Sequence, residues 1–272
     1  MKMSNGIFII SNGRAFEQKT YNLIKKINIP IYIVIDDLDE QGEFYKERYD
    51  NILVFNKRDY LLKADTMNNK EELRTPLYAR MACQDFAKDL GFSSYAILDD
   101  DFTGINYRYL KDGKLKSKKV DDIEGLFYLI FNFLESTSIY GLCLANSSFY
   151  FGGAEGEKYK KRLYPGFYGF TFLKTYKYVH FKGIINEDIN TTLLHNEQGD
   201  LLLMLMDVCF TTCKRGSNAG GCKDLYDTNG DYIKAMYALI NAPNRVVINK
   251  KLKENITGMN NFPKILNERW RK

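Results

Sequence analysis

The sequence predicts an α/β fold in which a parallel sheet is covered by helices on both faces. In the first hundred residues, short and continuously apolar segments alternate with segments whose apolar residues recur at helical spacing. Because the apolar segments are not interrupted by polar residues, the strands that they predict are buried on both sides. Polar residues follow these segments directly, and ligands of such folds lie beyond the carboxyl ends of the strands.

Four strands and two helices can be placed in this part of the chain. The strands are predicted at residues 7–10, 31–35, 52–55 and 95–98. The first helix follows the polar turn after the first strand and carries Leu23, Ile24 and Ile27 on one face. The clearest helix precedes the fourth strand, and Gly91 is expected to end it. Its apolar residues are Ala79, Ala82, Cys83, Phe86, Ala87 and Leu90.

The rest of the chain is less regular. Residues 111–119 predict a hairpin or loop, and Asp121 is expected to cap the next helix, with Glu124 at the capping-box position. The buried stripe of that helix is Ile123, Leu126, Phe127, Ile130, Phe131 and Leu134. Strand character follows at residues 141–145, 170–173, 181–185 and 201–206, and helices are predicted from Asn186 onwards and over residues 229–241. The sequence has neither an internal repeat nor a linker, so a single domain is expected.

Composition and charge narrow the class of protein. The formal charge of +5 and a pI near 8.7 fit an anionic partner, such as a nucleotide diphosphate or a nucleic acid. Five cysteines without paired C-x-x-C spacing favour a reducing compartment. Because no apolar stretch reaches the roughly 20 residues that span a bilayer, we expect a cytoplasmic protein without membrane association.

The strongest chemical motif is Asp99-Asp100-Asp101, directly after the fourth strand. In extended geometry Asp99 and Asp101 project to the same side. Two hard oxygen donors there suit Mg²⁺ or Mn²⁺, which prefer carboxylate, water and phosphate oxygens. A solvated acidic turn is the alternative. We predict Asp99 and Asp101 as metal ligands.

Further polar residues share the predicted sheet edge. Asp36 and Asp37 end the second strand, where an acidic residue can bond a base or ribose, or can simply cap a turn. Arg80 lies just off the apolar stripe of its helix, and its planar guanidinium would pair with phosphate or base oxygens, or form a surface salt bridge. The polar turn after the first strand adds Ser11, Asn12 and Arg14.

A second acidic element, Glu187 and Asp188, opens a helix after Asn186. Acidic residues in a first helical turn are often only favoured by the helix dipole, so a catalytic role requires that the fold bring them opposite the Asp triplet. His180 and His195 are the only histidines, and neither is predicted as a ligand. The Gly-rich segment 215–221 could present N–H groups to phosphate or serve as a flexible lid, but it lacks the ending of a P-loop.

Together these features resemble the GT-A glycosyltransferases: a strand ending in Asp-Asp, an Arg on the helix before a strand ending in Asp-x-Asp, and a later Glu-Asp. More narrowly, residues 11–102 resemble the TET-associated glycosyltransferases of bacteriophages. The matching motifs are Gly13-Arg14, Tyr32 to Asp37, Tyr78-Ala79-Arg80-x-x-Cys83, Ile97 to Phe102, Asn186-Glu187-Asp188 and Gly216-Ser217-Asn218-x-Gly220-Gly221.

The resemblance implies a GT-A-like, Rossmann-type, mixed and mainly parallel sheet flanked by helices in one domain. Residues 1–105 would form the nucleotide-sugar-binding half and residues 106–272 the acceptor-binding half. Mn²⁺ or Mg²⁺ would be held by Asp99 and Asp101, and Asp188, with Glu187 beside it, would act as the acceptor-side base. The nucleotide sugar would be held by Ser11, Asn12, Arg14, Asp36, Asp37, Arg80 and Asp100. No counterpart of the C-terminal metal-binding His of many GT-A enzymes is evident, so a third protein ligand is unassigned.

The implied reaction is transfer of a sugar from a UDP-sugar to hydroxymethylated pyrimidines in phage DNA, inside the bacterial host. A segment that interleaves basic and Tyr residues, with Lys160, Lys161 and Arg162, is expected to contact the acceptor, together with Gly220 and Gly221. The five lysines between residues 111 and 119 are a second candidate for DNA contact. Three alternatives stay open: a polysaccharide or protein acceptor, a sugar-nucleotide nucleotidyltransferase, and an inactive transferase scaffold that binds nucleic acid.

Overall fold

A computed structural model describes residues 4–68, 71–150, 152–155, 169–213, 233–244, 246–247 and 264–265. The four strands predicted in the first hundred residues are present as β1 (Asn5–Ile10), β2 (Ile31–Asp36), β3 (Ile52–Phe55) and β4 (Ser94–Asp99). The later strands are β5 (Phe102–Lys111), β6 (Lys114–Lys119), β7 (Gly141–Asn146), β8 (Phe170–Lys174), β9 (Leu202–Thr212), β10 (Val246–Val247) and β11 (Lys264–Ile265).

Within the described residues, seven α-helices accompany these strands. They are α1 (Lys19–Ile24), α2 (Gly42–Arg48), α3 (Lys57–Lys63), α4 (Leu77–Asp89), α5 (Ile123–Ser136), α6 (Glu187–Glu197) and α7 (Ile233–Asn241). None of the helices in the described ranges is both long enough and apolar enough to cross a membrane.

In the described part of the chain, nine strands form one sheet in the order β3-β2-β1-β4-β8-β7-β9-β5-β6, and β10 pairs with β11. The strands β1 to β4 pair in parallel, as do β7 and β9. The remaining pairings within the sheet are antiparallel, including both neighbours of β8. The prediction of a mixed α/β sheet flanked by helices is confirmed. An apolar run shows that a strand is buried but not its direction, so the antiparallel insertion of β8 was not visible in the pattern.

Both faces of the parallel part are covered because successive side chains of a strand point to opposite faces. In β1, Ile7 and Ile9 pack in the core cluster that includes α1, α2 and α5. Phe8 and Ile10 pack in the cluster on the other face, with α3 and α4. Each fully buried side chain of this kind stabilises the fold by about 1.5–3 kcal/mol.

The helix α5 follows its predicted stripe but begins one residue later than expected. Its N-cap is Asp122, not Asp121, and the Asp122 carboxylate accepts the N–H of Gly125 at 2.7 Å. Phe127 and Phe131 meet the rings of β8 edge to face. Asp122 is the residue directly before the first helical turn, and its carboxylate satisfies an N–H that has no partner within the helix.

Two further predictions differ from the structure, and part of a third lies outside the described residues. Residues 181–185 do not form a strand: Lys182 makes an isolated bridge to Asp65, and the chain there is held by hydrogen bonds to residues 65 and 66. The helix α4 buries Arg80, which was expected at the edge of its apolar stripe, and exposes Leu90 at its end. Residues 229–232 of the predicted last helix lie outside the described residues.

Candidate active site

The carboxyl ends of β1, β2 and β4 lie at one edge of the sheet. Ile10, the last residue of β1, is paired with Val34 of β2 and with Asp99, the last residue of β4. The parallel register therefore brings the loop after β1, the end of β2 and the Asp triplet together, as the strand pattern predicted.

The loop after β1 is fixed by a chain of side-chain hydrogen bonds. Ser11 Oγ donates to Asp100 Oδ2 at 2.6 Å and accepts from Gln18 Nε2 at 2.7 Å. Since a hydroxyl has one proton, Tyr45 donates to Ser11 across their 2.7 Å contact. Tyr45 in turn accepts the N–H of Arg14 at 2.8 Å, and burial raises its pKa so that it stays protonated.

Arg14 closes this loop on the middle Asp of the triplet. Its Nη1 donates to Asp100 Oδ1, and Ser11 Oγ donates to Oδ2, so both oxygens of the carboxylate accept a hydrogen bond. Asp100 is 3% exposed, and this burial raises its pKa, while Arg14 and Ser11 oppose the rise. The Arg14 side chain is 21% exposed, so part of the guanidinium faces solvent beside the site.

Asp36 and Asp37 differ in their surroundings. Asp36 is buried, and its carboxylate accepts from Asn12 Nδ2 at 2.9 Å, Lys57 Nζ at 3.0 Å and the N–H of Leu38 at 3.1 Å. Asp37 is exposed and accepts the N–H of Lys57 at 2.9 Å. Both residues thus order the turn at the end of β2. Their predicted contact with the nucleotide remains a prediction.

Arg80 joins two acidic elements that are far apart in sequence. Its Nη2 donates to Asp99 Oδ1 at 3.0 Å, and its Nε donates to Glu187 Oε1 at 3.1 Å, 107 positions along the chain. Burial alone would lower the pKa of Arg80, but Asp99, Glu187 and Asp188 outweigh it and raise the pKa above its ordinary value. The structure therefore brings the first turn of α6 next to the Asp triplet, the condition for a catalytic role of that turn.

The start of α6 is held in place by its own residues. The N-cap Asn186 has a left-handed backbone with φ of 61°, which Asn tolerates better than most residues. The buried Asn190 donates to the carbonyls of Ile185 and Lys182, at 3.0 and 3.3 Å. Glu187 is 8% exposed, whereas Asp188 is only half-buried. Of the two acids, Asp188 is the one that an incoming molecule can reach more easily.

The Asp triplet carries more negative charge than its two arginines balance. Burial, followed by the charges of Asp99 and Asp100, raises the pKa of Asp101 to about 6. Asp99 is 38% exposed in its side chain, and among the described residues its Oδ2 has no hydrogen-bond donor. Local negative charge of this kind favours a cation.

The profile of the TET-associated glycosyltransferases matches residues 6–221, about four fifths of the chain. The matched range includes β1 to β9, the Asp triplet, Arg80, Glu187 and Asp188. The chain belongs to this family. It is a glycosyltransferase, and the resemblance noted from its motifs is confirmed.

Solved structures give more distant likenesses to this glycosyltransferase. Mouse xyloside xylosyltransferase 1 in its apo form is 11% identical, with a TM-score of 0.44 over 87% of this chain and 94% of that one. CMP:2-keto-3-deoxy-manno-octonic acid synthetase complexed with CTP is 10% identical, with a TM-score of 0.42 over 87% and 99%. A197 from STIV is 16% identical, with a TM-score of 0.39 over 76% and 84%. A comparison with curated proteins found no match.

The candidate site also depends on a residue that sequence reasoning missed. A Cβ at Gly169, just before β8, would lie 2.4 Å from Asp99 Oδ2. The backbone of residue 169 accepts the N–H of Asp99 at 3.2 Å, so it cannot easily retreat. Only glycine therefore leaves the Asp99 carboxylate where Arg80 holds it.

Three other partners in the site were not predicted: Gln18, Tyr45 and Lys57. Lys57 lies two residues after the end of β3, so the strand-end argument applied to β1, β2 and β4 would have found it. Gln18 and Tyr45 belong to short helical segments whose pattern shows burial but not which polar group is bonded.

The remaining residues considered in the sequence lie either away from the candidate site or outside the described residues. Lys160, Lys161, Arg162, Gly220 and Gly221 fall outside the described residues. His195 is fully buried near the other end of α6, where Nδ1 lies 2.6 Å from Asp200 Oδ2 and the ring stacks on Tyr140. His180 is exposed beside Tyr178. Neither histidine was predicted as a ligand, and His195 is committed to Asp200 and Tyr140 instead.

Proposed function

We propose that this glycosyltransferase moves a sugar from a UDP-sugar to the hydroxyl of a hydroxymethylated pyrimidine in DNA, with Mn²⁺ or Mg²⁺ as cofactor. The observation that carries the proposal is the meeting of two acidic elements through Arg80. One element, at the end of β4, suits a cation and a diphosphate, and the other, at the start of α6, suits an acceptor hydroxyl.

Asp99 and Asp101 would hold the cation. Among the described residues, no three His, Cys, Asp or Glu side chains are grouped closely enough to enclose a metal. Two carboxylates are nevertheless a fitting donor set, because Mg²⁺ is commonly held by one or two carboxylates together with substrate phosphates and water. When bound, the cation supplies positive charge for the diphosphate oxygens of the leaving group. Burial raises the pKa of Asp101, and the neighbouring charges of Asp99 and Asp100 add to the rise. A cation bound there would offset the negative charge that these three carboxylates share.

The loop after β1 would hold the donor. Asp100 and Ser11 fix Arg14 so that the exposed part of its guanidinium can donate to phosphate oxygens. Asn12 is exposed at the same edge, next to Asp36, and Asp37 is exposed one residue further along. These side chains are the candidates for the base and ribose of the nucleotide. Asp100, whose two oxygens are already engaged, orients Arg14 beside the donor sugar.

Asp188 would take the proton from the acceptor hydroxyl. As the acceptor oxygen bonds to the anomeric carbon, the bond from that carbon to the diphosphate oxygen breaks, and the hydroxyl proton passes to the Asp188 carboxylate. Asp188 is among the charges that raise the pKa of Arg80, so the two side chains attract each other at the start of α6. Glu187, bonded to Arg80, positions this turn of α6.

Several classes of acceptor hydroxyl fit the proposed base and donor site. A polysaccharide or protein hydroxyl would use the same base and the same donor site. Hydroxymethylated DNA is preferred because the chain is basic, with a formal charge of +5, and because its family resemblance implies that substrate. A DNA acceptor also places the enzyme in the cytoplasm of a bacterial host.

Mass spectrometry of hydroxymethylated DNA incubated with UDP-sugars tests the proposal. We expect a mass increase of one sugar that EDTA abolishes and that Mn²⁺ or Mg²⁺ restores. Asp101→Asn should lose transfer, whereas Asp89→Asn, which removes the same charge from the exposed end of α4, should keep it. Full transfer by Asp101→Asn in the presence of EDTA would rule out the metal assignment. Binding of DNA without transfer or donor hydrolysis would instead identify an inactive scaffold.

A further inference from the structure

The hairpin of β5 and β6 forms the far edge of the sheet and has two chemically different faces. Tyr107 lies opposite Lys118, Tyr109 opposite Lys116 and Lys111 opposite Lys114. Residues directly opposite each other in an antiparallel pair share a face, as do alternate residues of one strand. One face of the hairpin is therefore built from Tyr107, Tyr109, Lys111, Lys114, Lys116 and Lys118, and is called the Tyr–Lys face.

We infer that the Tyr–Lys face binds a single strand of DNA and guides it to the active site, an inference that rests on the proposed DNA acceptor. All six residues are exposed, and the rings of Tyr107 and Tyr109 are 38% and 43% exposed. Lysines neutralise backbone phosphates, while aromatic rings stack on bases of any sequence. The face presents both kinds of group in alternating cross-strand pairs.

The opposite face of the hairpin is committed to the body of the protein. The guanidinium of Arg108 lies 4.6 Å from the ring centre of Tyr150, and its Nε donates to Cys209 Sγ at 3.3 Å. Leu115 packs against the small core cluster that contains Phe149 and Tyr150. These contacts place the face with Arg108 and Leu115 against the protein, so the Tyr–Lys face is directed towards solvent.

The charge of the Tyr–Lys face is largely unbalanced. Among the described residues, Lys118 and Asp121, 3.7 Å apart, form the one ion pair of its four lysines. Lysines on an edge strand also discourage pairing with another sheet, but that role does not explain two exposed Tyr rings opposite them. A neutral polysaccharide would use the rings and not the row of cations. A phosphodiester strand uses both.

The hairpin is connected to the active site by its own backbone. The strand β5 begins at Phe102, directly after Asp101, and its first N–H is held by Thr20 Oγ1 at 2.9 Å. Tyr107 is five residues along this strand, about 17 Å from Phe102 at 3.4 Å per residue. A DNA strand on the Tyr–Lys face can therefore reach the Asp triplet within a few nucleotides.

Fluorescence anisotropy with a labelled single-stranded 12-mer, over a range of salt concentrations, tests the inference. The variant Lys114→Gln/Lys116→Gln should lower the slope of log affinity against log salt by about 1.4, since each phosphate contact with a single strand contributes about 0.7. Lys25→Gln/Lys26→Gln is the matched control, because it removes the same charge from exposed positions beyond α1 and should leave the slope unchanged.

The tyrosines are tested separately from the charge. Tyr109→Leu should weaken binding about five-fold or more at every salt concentration without changing the slope, because it removes stacking and leaves the lysines. Tyr128→Leu, at an exposed position of α5, is the control and should bind as wild type does. The duplex of the same sequence should bind less tightly than the single strand, since its bases are already stacked.

Four outcomes would overturn the inference. One is an unchanged slope in the double lysine variant, and another is unchanged affinity in Tyr109→Leu. If wild type glycosylates DNA and the hairpin variants do so equally well at every salt concentration, the Tyr–Lys face is not the DNA surface, but the proposed function stands. If wild type neither binds the oligonucleotide nor glycosylates it, both fall. Hydrolysis of the nucleotide sugar is measured without DNA as a control, and a variant that loses this hydrolysis has a damaged donor site.

Discussion

The two arginines that flank the Asp triplet hold it in different ways. Arg14 is partly exposed and bonds Asp100 within the loop after β1, where Ser11 also serves the same carboxylate. Arg80 is buried and bonds Asp99 and Glu187, which belong to distant parts of the chain. The first contact orders a loop, and the second joins the end of β4 to the start of α6, the elements proposed to bind donor and acceptor.

This difference predicts different sensitivities. A partly exposed arginine can be replaced by water at its partner, whereas a buried one leaves an uncompensated charge behind. Changes around Arg80 should therefore affect stability and catalysis together, while changes around Arg14 should remain local.

The largest effect is expected from Arg80→Met. Removing one partner of a buried pair costs about 3–5 kcal/mol, because Glu187 would keep its charge without a donor. Chemical denaturation should show this loss, and sugar transfer should be lost with it. The double variant Arg80→Met/Glu187→Leu should recover most of the stability, since it replaces the pair with apolar groups, but not the activity. A stability loss below about 1 kcal/mol in Arg80→Met would show that the bridge is not an important contact.

A smaller but cleaner effect is expected from Asp188→Asn. The amide keeps the shape of the side chain but cannot take a proton, so transfer should fall by about 10²-fold. Affinity for UDP, measured by calorimetry, should stay near that of wild type. Asp207→Asn, at an exposed position of β9, is the matched control. An equal loss of UDP affinity would move Asp188 from the acceptor side to the donor side.

Arg14→Met should cost less stability than Arg80→Met, about 1.5–3 kcal/mol, the range for a hydrogen bond to a charged group. Asp100 would retain Ser11 as a donor, and solvent can reach the vacated position. UDP affinity should fall, because the exposed part of the guanidinium is lost. The control Arg58→Met, at an exposed position of α3, should change stability by less than about 0.5 kcal/mol. If Arg14→Met proved as costly as Arg80→Met, the distinction between loop and bridge would fail.

The smallest effect concerns the far end of α6. Burial lowers the pKa of His195 from 6.5, against the opposing effect of Asp200. A histidine whose pKa is lower in the folded than in the unfolded protein contributes its full stabilisation at pH values above the unfolded-state pKa. That contribution is lost as the pH falls, so the free energy of unfolding should decline below about pH 6.5. Asp200, whose pKa is lowered, stays ionised in this window. Thermal unfolding of His195→Gln should show a flatter pH dependence between pH 7.5 and 5.5, by at most about 1.4 kcal/mol per pH unit. His180→Gln, at an exposed site, should keep the slope of wild type.

The arrangement of the proposed donor side could largely be predicted from the sequence because its information is local. The strands β1 to β4 are continuous apolar runs, and the polar residues that follow them necessarily meet at one sheet edge. Asp36 and the Asp triplet were located in this way. Arg80 was recognised as a candidate, but its burial was not foreseen, because one of its two partners is 107 positions away.

The acceptor side was less predictable for the same reason. Glu187 and Asp188 at the start of a helix have an ordinary local explanation, because acidic residues are common in a first helical turn. Only the long-range bond between Glu187 and Arg80 indicates a further role. The lysine-rich segment 111–119 indicated a hairpin, but the cross-strand register that places Tyr107 and Tyr109 beside the lysines depends on where the turn falls. The order of residues along one strand does not determine which residues of the neighbouring strand they face.

Gly169 limits how this chain can diverge over evolutionary time. Any side chain at that position would collide with the carboxylate of Asp99, so a descendant with alanine there must also shorten, move or lose the acid at position 99. Losing that acid would release Arg80 and, through it, the first turn of α6. Positions 169 and 99 are therefore expected to change together or not at all. If Asp99 has the proposed role, a lineage that abandons sugar transfer would be free to fill the space at residue 169.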